Sequence, residues 1–91
     1  MKYKVIFGQG ILKAQFTKTL GRSLFLADPL KVGTVKDLLK AIHNNFAFAF
    51  DSAVDPSGLF ITTEDEFLLP PNAPVKDALE ENQIIKIMGV Q

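Results

Sequence analysis

Few residues in this chain have the types and spacing that chemistry needs. His43 is the only histidine and cysteine is absent, which removes disulfides, thiolate nucleophiles and Cys/His metal sets. A lone imidazole without a second histidine or a carboxylate pair beside it makes neither a triad nor a metal site. Asp51 and Asp55 could in principle share a proton as paired carboxylates, but Asp55 leads into Pro56-Ser57-Gly58, which is turn chemistry. Gly8-Gln9-Gly10 is too short to cradle a phosphate and lacks the lysine and Ser/Thr that would follow. The expectation is therefore a non-enzymatic domain, with no catalytic residue, no metal and no cofactor.

What remains is charge. Thr62–Ile87 sets three consecutive acids, Glu64-Asp65-Glu66, against the apolar Phe67-Leu68-Leu69, which Pro70-Pro71 then stops. The chain as a whole is neutral, with ten bases and ten acids. Residues 1–40 nevertheless hold eight bases against two acids, a net of +6, and residues 41–91 hold two bases against eight acids, a net of −6. An isolated acidic turn is ordinarily just a solvated loop, and outward lysines are what edge strands carry against aggregation. The division of charge favours a stronger reading, a self-complementary interface. Its basic face is assigned to Lys2, Lys4 and Arg22 with Lys36 and Lys40, and its acidic face to Glu64, Asp65 and Glu66 with Glu80 and Glu81. Unlike patches imply head-to-tail contacts between copies, in open filaments or rings. Zero net charge argues against nucleic acid as a partner of this domain alone. The alternative is a monomeric module that binds another protein, with the Arg22–Asp28 edge accepting an added strand.

Hydrophobic periodicity supplies the elements that would position these groups. At 91 residues, with 47% apolar composition and eight phenylalanines, residues 1–91 form a single folded domain. "KYKVIF" alternates Lys2 and Lys4 outward with Tyr3, Val5 and Phe7 inward, a half-buried first strand. "ILKAQF" either continues the pairing or loops. "RSLFLAD" is a second strand with Leu24 and Leu26 on one face. Thr34 with Asp37 three residues on forms a capping box before an apolar run at Val35, Leu38, Leu39, Ile42 and Phe46, which predicts a helix with Lys36, Lys40 and His43 outward. "FAFAF" alternates, so the chain is expected to run extended after Phe46 and to pack Phe48 or Phe50 on the core. "LFITT" is a third strand and "EFLL" a fourth, joined by the acidic run. Pro70-Pro71 ends that fourth strand, "VKDAL" is a helical turn, and "IIKIM" is the last strand. This order predicts an α+β domain of the ubiquitin-like β-grasp class, a four- to five-stranded mixed sheet packed on one main helix.

The segment "SGLFITTEDEFLLPPNAPVKDALEENQIIKIMG" resembles the amino-terminal domain of coilin, in which a strand ending "LPP" precedes an apolar-acidic segment and a closing strand. Leu69-Pro70-Pro71, Val75–Leu79 and Ile84–Met88 stand in those places, and "SLFL" and "VKDLLKAIHNNFAF" agree in outline; the phenylalanine-rich Phe46–Phe50 segment departs from it. That resemblance implies a ubiquitin-like self-association domain of a scaffold protein that nucleates a nuclear body, the Cajal body. A weaker likeness is to oligomerisation domains of the Phox/Bem type, which pair a basic first strand with an acidic hairpin. Lys2 and Lys4 match the former and Glu64–Glu66 the latter, without the interleaved glycine of that acidic motif. No apolar run approaches a membrane span of about 18 residues, and Met1 opens straight into the first strand without a signal-peptide core. An intracellular location is expected, nuclear if the coilin likeness holds, with no membrane partner.

Overall fold

In the computed structural model, which describes residues 1–89, the Lys2–Phe7 strand (β1) buries Tyr3, Val5 and Phe7 and leaves Lys2 and Lys4 exposed. The chain then leaves the sheet. After a brief bridge from Leu12 to Phe50 it makes a 3-10 turn at Ala14–Phe16 and a short helix, α1 (Thr17–Leu20), before returning as β2 (Arg22–Leu26). "ILKAQF" is thus a loop with one isolated pairing. The main helix α2 covers Val35–Asn45, followed by β3 (Leu59–Thr63), the single-turn α3 (Val75–Ala78) and β4 (Ile84–Gly89).

The fold is α+β, with a four-stranded mixed sheet in the order β2-β1-β4-β3. β1 pairs antiparallel with β2 (Lys4↔Leu24) and parallel with β4 (Lys4↔Ile84), and β3 pairs antiparallel with β4 (Thr62↔Lys86). One face of the sheet packs on α2, where Leu38 and Ile42 are fully buried with Tyr3, Val5, Ile61, Ile85 and Ile87. β4 carries isoleucine on this face because it is a central strand, where β-branched side chains fill the pleat.

The start of α2 is hydrogen-bonded without remainder. Thr34 Oγ1 accepts from the Asp37 N–H at 3.3 Å and Asp37 Oδ2 accepts from the Thr34 N–H at 3.2 Å, the expected capping box. The two remaining first-turn donors go to the crossover: Val35 N–H to Ala73 O at 3.0 Å and Lys36 N–H to Pro71 O at 2.9 Å. The chain from Pro71 to Ala73 is therefore laced to the start of the helix.

Several expectations change in detail. "EFLL" is not a strand; it touches β3 only through the isolated Thr62↔Leu68 bridge. "FAFAF" is not extended, because Phe46 caps α2 and Ala47–Ala49 form a 3-10 turn. This bend turns Phe46 and Phe50 inward, edge-on to Phe7 at 5.3 and 5.7 Å, and leaves Phe48 57% exposed against Phe16. The face shared by Leu24 and Leu26 is the outer one, with Phe25 buried instead. His43 is half-buried, its ring 4.7 Å from that of Phe50, where an outward position was expected.

Candidate interaction surfaces

The acidic run forms the tip of a tight hairpin. Thr63 O accepts from the Glu66 N–H at 2.9 Å and the Thr63 N–H donates to Phe67 O at 2.9 Å, while Glu66 sits at φ +67°. This is a type I turn closed by a left-handed residue, the three-residue hairpin loop. Glycine or asparagine normally takes that last position, and Glu66 holds it here. The geometry pushes Glu64, Asp65 and Glu66 into solvent beyond β3, with Phe67 beside them 71% exposed.

Lys2, Lys4 and Arg22 lie at the opposite side of the strand order. They share the outer sheet face with Leu24 and Leu26, which are 60% and 74% exposed. β2 is an edge strand. Phe7 N–H donates to Gly21 O at 2.9 Å and Ala27 N–H to Met1 O at 2.7 Å, so the antiparallel alternation aims the main-chain groups of Arg22, Leu24 and Leu26 away from β1.

The other assigned residues fall elsewhere. Lys36 and Lys40 sit on α2, across the helix layer from Lys2 and Lys4, so the five assigned bases do not form one face. Glu80 and Glu81 precede β4 at the end of the sheet where β3 finishes, which brings them to the same end as the hairpin tip. Glu81 is also tied to β1: its Oε1 accepts from the Lys2 main-chain N–H at 2.6 Å. Burial pushes the Tyr3 hydroxyl pKa up, and the Glu81 charge pushes it further. Lys2 thus stands at the acidic end of the sheet, with Lys4 and Arg22 further along it.

Ion pairing inside the molecule is sparse. Among the described residues a single salt bridge forms, Lys86 Nζ to Glu66 Oε1 at 3.6 Å, with the glutamate side chain 74% exposed. Asp37 and Asp55 are held below the usual carboxylate range, Asp37 by the N–H and hydroxyl of Thr34 and Asp55 by those of Ser57. These are the local bonds of a cap and a turn, and Asp51 does the same for the Ala53 N–H at 2.9 Å. No cluster of three or more metal-ligating side chains occurs among the described residues, and no described helix is long and apolar enough to cross a membrane.

One surface had no single motif to mark it. A groove of about 880 Å³ runs between α2 and the segments 56–61 and 68–72, floored by Val35, Leu39, Leu59 and Leu69 and rimmed by Lys36, Lys40 and His43. The chain matches no protein-family model and no curated protein.

Proposed function

We propose that this domain is a non-enzymatic self-association module of a scaffold protein, with the ubiquitin-like β-grasp as its fold and a coilin-like role in building a nuclear body. The observation that carries this reading is that each of two unlike charged patches is joined to exposed apolar side chains. Lys4 and Arg22 flank Leu24 and Leu26 on the β1–β2 side of the sheet, and Glu64–Glu66 flank Phe67 beyond β3. Charges alone would give weak, screened contacts of at most about 1 kcal/mol per exposed pair. Fully burying a leucine or phenylalanine adds roughly 1.5–3 kcal/mol, so the apolar side chains supply affinity while the charges set register. Because the patches lie on opposite edges, one copy offers its hairpin to the basic face of the next, in a head-to-tail contact that builds a filament or a ring.

Complementary charge reversal tests this. Lys4→Glu and Asp65→Lys each abolish self-association in sedimentation, and an equimolar mixture restores one-to-one pairing. Wild-type protein that stays monomeric at high concentration and low salt would refute the reading.

The open β2 edge favours a second reading. Its outward main-chain groups with Leu24 and Leu26 beside them suit strand addition by a different protein. Leu24→Pro removes an N–H from that edge, and self-association that survives it while binding of a partner is lost would select this alternative.

A further inference from the structure

The groove along α2 lies on the helix layer, on the far side of the sheet from Lys4, Arg22 and Leu24, and its outer wall runs through Leu68 toward the acidic hairpin tip. Its chemistry is one-sided. The lining includes Lys36, Lys40 and His43 and not one aspartate or glutamate, over a floor of valine and leucine. Positions 36, 40 and 43 fall on one stripe of the helix, and Leu39 beside them is only partly buried. Across the groove stand Pro56 and Pro71, with Leu68 62% exposed.

The main chain of that far wall decides how an occupant is held. Pro70 and Pro71 have no N–H to offer, Pro71 O is taken by Lys36 and Pro70 O by Ala73 at 3.1 Å. The Leu69 N–H is spent on Ile61 O at 3.0 Å. Past Leu68 an added strand would find no continuous ladder on that wall, so recognition falls mainly to side chains. A groove running beside α2 over about nine residues, or roughly 14 Å at 1.5 Å per residue, matches two to three turns of a second helix.

We infer that this groove binds an acidic amphipathic helix of a partner protein, one whose leucine-type side chains recur at helical spacing and are flanked by aspartate or glutamate. The leucines enter the apolar floor and the carboxylates meet Lys36 and Lys40. The molecule's own acidic hairpin cannot serve, because Leu68 and Leu69 of its second arm already form the wall.

The probe is a capped helical peptide of glutamate, alanine and leucine with its leucines on one face, titrated into the intact domain while methyl and amide resonances are followed by NMR. Saturable shifts at Leu39, Leu59 and Leu68 are expected. Binding should weaken about tenfold or more in Lys36→Glu/Lys40→Glu, whose side chains are exposed and whose fold is checked by the unshifted core resonances. The same peptide with lysine in place of glutamate should not bind. Equal binding of the lysine peptide, binding unaffected by the double reversal, or shifts confined to Lys2, Lys4 and Leu24 would overturn the inference. A change in oligomeric state in the double variant would overturn it too, by assigning the groove to contacts between copies.

Discussion

Glu66 offers a way to separate the stability of the hairpin from its charge. A non-glycine residue in the left-handed region costs about 1–2 kcal/mol, and Glu66 sits there at φ +67°. Glu66→Gly removes that cost. It also gives the unfolded chain more freedom, a loss of roughly 0.5–1 kcal/mol. The Lys86 ion pair goes as well, and at 3.6 Å with the glutamate 74% exposed it contributes only a few tenths of a kcal/mol, about the surface median. The balance is a gain of about 0.5 kcal/mol. Glu64 makes the control, since Glu66 and Asn82 are the positions with positive φ among non-glycine residues described. Glu64→Gly carries the entropy loss with no strain to relieve and costs about 0.5–1 kcal/mol. The variants should therefore differ by roughly 1 kcal/mol, or about 4–8 °C in Tm for a domain of this size, with Glu66→Gly the more stable. Calorimetry on both, at a protein concentration where each is monomeric, reads the difference directly. A Glu66→Gly melting point at or below that of Glu64→Gly would refute the strain argument. Each variant removes one carboxylate from the tip, so their self-association should weaken equally although their stabilities move in opposite directions.

Other perturbations reach the framework behind the surfaces. Thr34→Ala should cost about 1 kcal/mol in urea unfolding by stripping the α2 cap. The lowered pKa values of Asp37 and Asp55 mean that their contribution is fully present above the ordinary aspartate range and is lost as pH falls through their depressed folded values. Denaturation midpoints should accordingly decline in acid, less steeply in Thr34→Ala, and a rise on acidification would contradict the bonding described. Phe46→Ala should cost about 3–5 kcal/mol, whereas Phe48→Ala should cost far less because that ring is 57% exposed.

Much of the framework was legible in the sequence because local signals agreed with burial. Thr34 and Asp37 announced the start of α2, and the apolar spacing from Val35 to Phe46 announced its inner face. β1 was readable from strict alternation. "RSLFL" has three apolar residues in a row, so period two fits either face, and only packing against the helix layer decides that Phe25 goes in and the leucines stay out. "FAFAF" alternates like a strand, yet a tight turn places Phe46 and Phe50 on the same ring, Phe7, which no local pattern encodes. "EFLL" had strand composition, but the turn before it and the prolines after it leave room for one bridge. Lys36 and Lys40 were grouped with Lys2 and Lys4 by sign and proximity in sequence, neither of which says which side of the sheet a residue will occupy. The groove was invisible for a related reason: its walls come from three separated stretches of chain.

The parallel pairing of β1 with β4 at the centre of the sheet also governs when this domain can fold. Lys4 meets Ile84 about 80 residues away, and closing a loop of that length costs roughly 4 kcal/mol before any contact repays it. A nascent chain therefore emerges with β1 and β2 able to pair but with their central neighbour still inside the ribosome. β3 cannot stand in, because it reaches the sheet only through β4. Synthesis exposes a half-built sheet until Ile84–Gly89 arrives, and stalled-chain proteolysis should show protection rising in one step as that strand clears the exit tunnel.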